Sequence, residues 1–325
     1  MDEQDVDTEK EQGPLVTVVI PTYNRAHLVS KAIVNACDQS YPNLEIVVVD
    51  DGSSDDTAAV VKAVDDPRVK YIRHARNKGL PAARNTGIRA ARGEYLAFLD
   101  DDDAWDKRKI AKQLRVIQGV DACLTAAISN GRLLRRHHKT IVSLDDLRRG
   151  SFDPSSLMAK TSVLREVLFD ENLRQGEDWD AFIRIAQRYT IGWLAEPLLF
   201  YNAGTHARMT NEAKVLAGPE LERRTAMLHK HRSFFGEKWF RRHCAEAFLG
   251  FIGTRRNKLG CIGYAVERCG VTPVARVLVH KVYRRLFPGA VMGEGLRALF
   301  RRPMGAETGS PLTAAVVANR SSVRS

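Results

Sequence analysis

The segment "EYLAFLDDDDAW" (residues 94–105) joins an apolar run to four consecutive aspartates. The apolar half has the length and composition of a buried strand. The four carboxylates at its end repel one another, and ending a strand does not require them. Either they form a solvated acidic turn, as most charge runs do, or they hold a cation with an anionic group beyond it.

Apolar runs and helical patterns alternate on the N-terminal side of this segment. The strand-like runs are "VTVVI", "LEIVVVD", "RVKYIRH" and "EYLAFL", and a helical pattern follows each of them. Strands of this kind between helices predict an α/β fold with a mostly parallel sheet that is flanked by helices on both faces. Because ligands bind beyond the carboxyl ends of such strands, we expect three polar clusters to meet at one edge: Pro21–Arg25, Asp50–Ser53 and Asp100–Asp103.

The composition is that of a globular protein, with 44% apolar residues in a chain of 325. No apolar run reaches the ~18 residues that span a bilayer, and the N-terminus lacks a signal-peptide pattern. The five cysteines show no zinc-binding spacing. They are therefore expected to be reduced thiols in a cytoplasmic protein.

Changes in composition divide the chain into four regions. We expect a disordered acidic leader over residues 1–14, the α/β domain over 15–205, a basic helical region over 206–303 and a flexible tail over 304–325. Residues 251–303 carry eleven Lys and Arg against two Glu, a net charge of +9. This charge favours an anionic partner, either nucleic acid or a membrane surface.

One stretch of the basic region has the pattern of an amphipathic helix. "VARVLVHKVYRRLF" begins at Val274 and follows Pro273, which stands where a helix can start. Its apolar face would carry Val274, Leu278, Val279, Val282 and Leu286, and its basic face Arg276, His280, Lys281 and Arg284. The alternative is a helix packed on the rest of the chain with its charges in solvent.

The first acidic pair, Asp50 and Asp51, continues a buried strand into "DDGSSDDT". Turn chemistry explains the segment from Gly52 onward, and Ser53 or Ser54 is expected to cap the next helix. It does not explain two carboxylates directly after the strand. Carboxylates there can accept hydrogen bonds from the base or the ribose of a nucleotide.

The run Asp100–Asp103 occupies the same position after another strand. Mg²⁺ and Mn²⁺ take carboxylate oxygens and fill their remaining positions with water and phosphates. One or two of these aspartates with a diphosphate would complete such a shell. The meeting of this run with Asp51 at one edge favours a metal site over a solvated turn.

Two further segments carry candidate residues. "NKGLPAARNTG" supplies Lys78 and Arg84 at the start of a helix, where Arg84 is either a phosphate partner or a surface arginine. Because GxGxxG and GxxxxGK[ST] are both absent, the Rossmann dinucleotide and P-loop interpretations fail. "GEDWD" places Glu177, Asp178 and Asp180 in a first helical turn, and the residues alone leave capping and general-base catalysis equally open.

Five segments together resemble the family 2 glycosyltransferases of the GT-A fold. They are "VTVVIPTYNR", "EIVVVDDGSSDDT", "NKGLPAARNTGI", "ARGEYLAFLDDDD" and "GEDWDAFIRI", in the family's order and spacing over residues 15–205. The resemblance implies a nucleotide-diphospho-sugar donor, with a UDP-sugar favoured. It also implies an inverting, single-displacement transfer with Mn²⁺ or Mg²⁺ as cofactor.

The resemblance also assigns roles to individual residues. It places Pro21, Thr22, Tyr23 and Asp51 around the base of the donor, and Asp100 or Asp101 at its ribose or at the waters of the metal. Arg84 joins these donor-binding residues as the phosphate partner that its place on the helix allows. The resemblance makes Asp102 the metal ligand, with His206 as a weaker second ligand. It makes Asp178 the general base, with Glu177 and Trp179 on the acceptor side.

Other functional classes are less consistent with the sequence. A processive polysaccharide synthase would add membrane spans and a QxxRW motif, and no "RW" occurs. A nucleotide-sugar pyrophosphorylase also uses an α/β sheet with metal-binding acids, but "GEDWD" does not support it. A non-catalytic binder built on the basic region lacks a recognition motif, so no nucleic-acid partner is expected. The expected acceptor is a glycan or a lipid-linked glycan, and the expected location is the cytoplasmic face of a membrane.

Overall fold

The structure of the chain is a computed structural model. It describes residues 13–134, 137, 139–201, 218–254 and 257–286. The described residues up to Val277 belong to one compact unit. That unit contains the whole of the sheet and the helices that pack on it.

Nine strands form one sheet in the order β3-β2-β1-β4-β8-β6-β9-β5, with β7 paired to β6. The strands are β1 (Val16–Thr22), β2 (Leu44–Asp50), β3 (Val69–Arg73), β4 (Tyr95–Phe98), β5 (Ala104–Trp105), β6 (Ala122–Ser129), β7 (Arg132–Leu133), β8 (Met158–Lys160) and β9 (Ile191–Phe200).

Eleven α-helices lie among the described residues. They are α1 (Ala26–Cys37), α2 (Thr57–Lys62), α3 (Leu80–Ala90), α4 (Lys109–Ile117), α5 (Leu144–Arg149), α6 (Thr161–Val167), α7 (Glu177–Ala186), α8 (Ala226–Lys230), α9 (Arg232–Phe248), α10 (Lys258–Cys269) and α11 (Val271–Leu286).

The N-terminal half of the sheet is parallel, as the apolar runs predict. β1 lies between β2 and β4 and pairs with both in parallel, and every residue of these three strands is buried. On one face α3 approaches β1 so closely that a Cβ on Gly87 would lie 2.3 Å from a methyl carbon of Val19. The strand order changes direction between β1 and β4, where the carboxyl ends of parallel strands leave a crevice for a ligand.

The C-terminal half makes the sheet mixed. β8 inserts between β4 and β6 and is antiparallel to both, whereas β6 and β9 pair in parallel. β8 has only three residues, so it carries no readable alternation. The α/β fold with flanking helices is therefore confirmed, and the antiparallel insertion is a feature that the sequence did not reveal.

The expected cap of α2 is wrong. The helix begins at Thr57, and Asp55 accepts the backbone N–H of Thr57. Ser53 and Ser54 bind Asn24 instead, because Ser53 Oγ accepts the N–H of Asn24 and the N–H of Ser54 donates to Asn24 Oδ1. These contacts join the loops after β1 and β2.

The apolar side chains of the last described helix, α11, differ in exposure. Val274 and Val277 are buried, whereas Val279, Val282 and Leu286 are exposed. Among the described helices, none combines the length and the apolar character that crossing a bilayer requires.

Candidate active site

The loops that follow β1 and β4 meet at the edge where the sequence places them. Thr22 Oγ1 donates to Asp101 Oδ2 at 2.7 Å, and Arg25 Nη1 lies 2.5 Å from Asp101 Oδ1. Burial raises the pKa of Asp101 to about 6 against the opposing pull of Arg25. Asp101 therefore links the acidic run to the end of β1 through a hydrogen bond and an ion pair.

The third polar cluster, Asp50–Ser53, lies at the same edge, and its Asp51 binds the loop before α3. The Asp51 carboxylate is buried and accepts the backbone N–H groups of Lys78 and Gly79 at 2.9 and 2.7 Å. Its Oδ1 also lies 2.7 Å from His74 Nδ1. The tight turn after it uses Gly52 at φ +81°, where a Cβ would collide with the backbone of Arg76.

The four aspartates have four different environments. Asp100 binds Arg84, Asp101 binds Thr22 and Arg25, and Asp102 lies 3.4 Å from Arg25. One oxygen each from Asp100, Asp103 and Asp153 lies within 4.8 Å of the other two. Burial and the neighbouring carboxylates raise the pKa of both Asp103 and Asp153. The cluster thus brings three carboxyl groups close together at a partly buried place, where a cation would favour their ionised form.

Arg84 is not the surface arginine that its helix position allows. It is 1% exposed, and its guanidinium binds Asp100 and Glu177 at the same time. Nη2 donates to Asp100 Oδ1 at 2.9 Å, and Nη1 donates to Glu177 Oε1 at 3.1 Å. The ring of Phe169 lies below it, 5.3 Å from the guanidinium carbon. One cation therefore joins the acidic run to the helix that carries Asp178.

Asp178 stands at the start of α7 and lines a cavity of about 690 Å³. Its Oδ2 accepts a hydrogen bond from Ser151 Oγ at 3.3 Å. Burial is the main cause that raises its pKa, and Asp100 adds to it. Asp153 lines the same cavity, so the cavity connects the acidic cluster with the predicted base.

The remaining predicted site residues have varied surroundings. Pro21 is buried, whereas Tyr23 is 44% exposed at the same edge. Trp179 donates its indole N–H to Leu147 O and packs its ring 5.2 Å from that of Phe235, as a packing residue does. His206 lies outside the described residues. The choice of Asp102 as metal ligand stays a prediction.

One residue of the acidic cluster, Asp153, was not named from the sequence, and Asp103 was named there only as part of the run Asp100–Asp103. Asp103 belongs to the quoted run, but its partner Asp153 lies in "SFDPSS", which has the pattern of a simple helix cap. Asp153 does cap the short 3₁₀ turn Pro154–Ser156 by accepting the N–H of Ser155. That turn is fastened to the acidic run, because Ser155 Oγ accepts the N–H of Asp100 at 3.0 Å.

A buried lysine on α4 is linked to the turn that carries Asp153, and burial lowers the pKa of this lysine to about 7. Lys109 is 0% exposed, and its Nζ lies 3.9 Å from the ring centre of Trp105 and donates to Gln113. Trp105 in turn donates its indole N–H to Ser155 O, and Gln113 donates to Ser156 O. Helix α4 therefore helps to fix the turn that carries Asp153.

The bridge from Arg84 to Asp100 and Glu177 leads to a prediction about the stability of the protein. Arg84→Met leaves Asp100 and Glu177 facing each other without a cation, which costs about 3–5 kcal/mol of unfolding free energy near neutral pH. Burial already raises the pKa of Glu177 above its ordinary 4.5, and Arg84 opposes this rise. Without Arg84 the folded protein favours protonated Glu177 more strongly. The stability of the variant is therefore highest below that ordinary pKa and falls as the pH rises through the raised folded pKa.

Urea unfolding at about pH 5 and about pH 7.5 measures this effect. Arg115→Met, which changes an exposed arginine on α4, is the matched control and should stay within ~0.5 kcal/mol. An equal loss for Arg84→Met at both pH values would show that the bridge does not work through charge.

Sequence comparison finds a family similar to the N-terminal half of the chain. The model of the family described as "Glycosyl transferase family 2" matches residues 17–171. An uncharacterized glycosyltransferase of Rickettsia conorii, RC0461, is 33% identical over 56% of this chain and 32% of its own length. The chain thus spans about a third of the first curated relatives that it matches.

Two further relatives come from Escherichia coli. The putative colanic acid biosynthesis glycosyl transferase WcaA of strain K12 is 29% identical over 63% of this chain and 79% of its own length. WfaP, named a UDP-Glc:alpha-D-GlcNAc-diphosphoundecaprenol beta-1,3-glucosyltransferase, is 36% identical over 32% of this chain and 41% of its own length.

Solved structures match a larger part of the chain. S. aureus TarS 1-349 in complex with UDP-GlcNAc has a TM-score of 0.58 and 20% identity, over 83% of this chain and 92% of that one. The mannosyltransferase PcManGT of Pyrobaculum calidifontis, in complex with GDP-Man and Mn²⁺, has a TM-score of 0.54 and 20% identity, over 88% and 83%. At this identity they show the GT-A fold alone. Together with the family match, they show that the chain has the GT-A fold and is similar to glycosyl transferase family 2 over residues 17–171.

Proposed function

We propose that the protein transfers a single sugar, with inversion, from a nucleotide-diphospho-sugar to a hydroxyl of a glycan or lipid-linked acceptor. The observation that carries this proposal is the arrangement around the 690 Å³ cavity. Asp178 lines the cavity together with Asp153, and Arg84 joins the helix of Asp178 to Asp100. An acceptor in the cavity would then lie between a base and the acidic edge at which the family binds its donor.

For the donor we propose a UDP-sugar. TarS binds UDP-GlcNAc, and the name of WfaP gives UDP-Glc as its donor. The residues proposed to hold the donor lie at the carboxyl edge of β1, β2 and β4: Pro21, Thr22, Tyr23, Asp51, Arg84, Asp100 and Asp101. Of these, Asp51 already holds the Lys78–Gly79 backbone, so the base would pack against a loop with a fixed position.

The acidic cluster fits a divalent cation. Carboxylate oxygens from Asp100, Asp103 and Asp153 approach one another, and burial with the neighbouring carboxylates raises the pKa of Asp103 and of Asp153. Hard cations such as Mn²⁺ and Mg²⁺ prefer such oxygens, and Asp102 lies on the same run. When bound, the metal would neutralise the negative charge that grows on the departing diphosphate. PcManGT was solved with Mn²⁺, which supports the choice.

Asp178 would remove the proton of the attacking acceptor hydroxyl. A general base works best with a pKa near the working pH, and burial moves the pKa of Asp178 upward from its ordinary value. Ser151 and the first turn of α7 hold the carboxylate in place. Attack from the face opposite the diphosphate then inverts the anomeric centre in one displacement.

Asp178→Asn should lower transfer by roughly 10²- to 10⁴-fold while donor affinity stays near that of the wild type, because Asn keeps the shape and loses the proton acceptor. Turnover together with calorimetric donor affinity measures both quantities. Asp65→Asn, at an exposed carboxylate remote in sequence from the site, is the control. Full activity of Asp178→Asn would return Asp178 to the role of a helix-capping residue.

Nucleotide binding should depend on the metal. Chelation, or Asp102→Ala, should weaken the affinity for UDP at least roughly 10- to 100-fold, since even indirect partners of a metal cost that much. Calorimetry with and without chelator measures the change. Asp153→Ala tests whether the cluster of Asp100, Asp103 and Asp153 also binds the metal. Equal affinity with and without chelator would contradict the metal proposal.

We also propose that the C-terminal region attaches the enzyme to an anionic membrane surface without spanning it. As part of this proposal, we divide the chain at residue 205 into a catalytic region before it and a basic helical region after it. Val282 and Leu286 of α11 are 58% and 67% exposed, and Arg285 on the same helix is exposed as well. Exposed apolar and basic side chains on one helix support binding at a lipid interface.

Arg285→Glu should weaken co-sedimentation with phosphatidylglycerol vesicles, because each basic residue near such a surface contributes roughly 1 kcal/mol. Arg115→Glu is the control for the change in charge. Phosphatidylcholine vesicles should not retain the protein, and salt near 1 M should release it, since the Debye length then falls to about 3 Å. Failure of the wild type to bind anionic vesicles at low salt would leave α11 as a packing helix.

A further inference from the structure

The helix that presents Asp178 carries a second acidic residue, Asp180, in its first turn. Asp178 lines the cavity of about 690 Å³, whereas Asp180 does not. An α-helix turns through about 200° over two residues, so these two side chains leave α7 on nearly opposite sides. Contacts made by Asp180 therefore hold α7 on the side away from the cavity.

The carboxylate of Asp180 is 0% exposed and meets three donors. His231 Nε2 and Lys230 Nζ each lie 2.8 Å from its Oδ1, and Arg184 Nη2 lies 2.6 Å from its Oδ2. Burial alone would raise the pKa of Asp180, but the hydrogen bonds from His231, Arg184 and Lys230 lower it below the ordinary value. Because an ionised carboxylate can only accept, Nε2 of His231 carries the proton of that bond.

Two of these three donors come from the junction between α8 and α9. Arg184 belongs to α7 itself, whereas Lys230 ends α8 and His231 joins α8 to α9. Lys230 also lies 2.6 Å from Asp170 Oδ2, in the loop that precedes α7. A buried carboxylate that loses a partner keeps an uncompensated charge, so these contacts oppose any movement of α7 away from α8.

Packing contacts join the same helices. The ring of Trp179 on α7 lies 5.2 Å from that of Phe235 and 4.9 Å from that of His243, both on α9. A Cβ on Gly176, directly before α7, would lie 3.2 Å from the Cβ of Met227 on α8. The start of α7 therefore packs on α8 and α9 through residues that do not line the cavity.

Helix α9 also contacts the segment that carries the hydrogen-bond partner of Asp178. Ser151, which donates to Asp178 Oδ2, lies two residues after the end of α5. His243 Nε2 lies 2.8 Å from Arg148 O on α5, and Arg148 Nε donates to Phe234 O on α9. One C-terminal helix thus contacts both α7 and the helix that leads to Ser151.

From these contacts we infer that Lys230 and His231 are positioning residues, which set the place of the base Asp178 by holding Asp180. A base must lie within hydrogen-bond reach of the hydroxyl that it deprotonates, and a misplacement of about 1 Å can cost 10²-fold in rate. This inference rests on the proposed transferase function. It extends the machinery of that reaction beyond residue 205, into α8 and α9.

The test measures hydrolysis of UDP-GlcNAc, UDP-glucose and GDP-mannose with Mn²⁺, in which water takes the place of the acceptor. Lys230→Met leaves His231 and Arg184 on Asp180, so the protein should still fold. With the substrate that the wild type hydrolyses fastest, Lys230→Met should lower kcat roughly 10-fold or more and leave KM near the wild-type value. Lys230→Arg should restore most of kcat, because it keeps the cation.

His231 has its own pair of variants. His231→Leu removes the donor and should lower kcat, whereas the side-chain amide of His231→Gln can still donate to Asp180 and should retain more of it.

Lys160→Met is the matched control for Lys230→Met. Lys160 Nζ lies 2.8 Å from Asp121 Oδ1, and its side chain is 41% exposed against 37% for Lys230. It pairs with Tyr95 at the start of β4, which is the end of that strand away from Asp100. Its loss should leave kcat unchanged.

A double variant shows whether Lys230 acts through Asp178. In the background of Asp178→Asn, Lys230→Met should lower the residual hydrolysis by less than about 2-fold, because a base that is already lost cannot be misplaced. An equal fold-loss in both backgrounds would reveal a general packing effect and overturn the inference. Wild-type kcat for Lys230→Met would overturn it as well.

The outcomes separate this inference from the transferase function. If Asp178→Asn is slow and Lys230→Met is as fast as the wild type, only the positioning role fails. If Asp178→Asn is as fast as the wild type, or the wild type hydrolyses none of the three nucleotide-sugars, the transferase proposal fails and the positioning role fails with it.

Discussion

The bridge from Arg84 to Asp100 and Glu177 is the interaction on which the site depends. Asp100 ends the parallel half of the sheet, and Glu177 begins the helix that presents Asp178. These two parts of the chain are 77 residues apart in sequence, and one buried guanidinium sets their spacing. Because Arg84 is buried over Phe169, it has little freedom to release either carboxylate. The acidic edge and the helix of the predicted base are therefore linked through one buried guanidinium.

The second feature of the site is the burial of several carboxyl groups close to one another. Burial raises the pKa values of Asp101, Asp103, Asp153 and Asp178. Such an arrangement opposes folding unless a cation relieves it, so its presence at the crevice between β1 and β4 favours a functional origin. Contacts elsewhere in the fold help to hold these carboxyl groups in place. Ser155 accepts the backbone N–H of Asp100, and Lys109 packs on the ring of Trp105.

The sequence predicted the parts of this site that lie on regular elements. Apolar runs fixed the positions of β1, β2 and β4, so the meeting of Thr22, Asp51 and the acidic run followed from parallel-sheet geometry. Asp153 was missed because "SFDPSS" has the pattern of a local cap and because β8 is too short to show periodicity. The burial of Arg84 was missed for a different reason: its partner Glu177 is 93 residues away, and no local pattern encodes such a pair. The acceptor-side role of Trp179 stays a prediction, and the structure shows its ring packed against Phe235.

The central claim is that these carboxylates support a metal-assisted single displacement. The most direct measurement is proton NMR of nucleotide-sugar hydrolysis by the wild type, recorded before the released sugar equilibrates. With an α-linked UDP-sugar and Mn²⁺, the account predicts that the β-anomer appears first and that chelator stops the reaction. First appearance of the α-anomer, or hydrolysis at an unchanged rate in chelator, would contradict it.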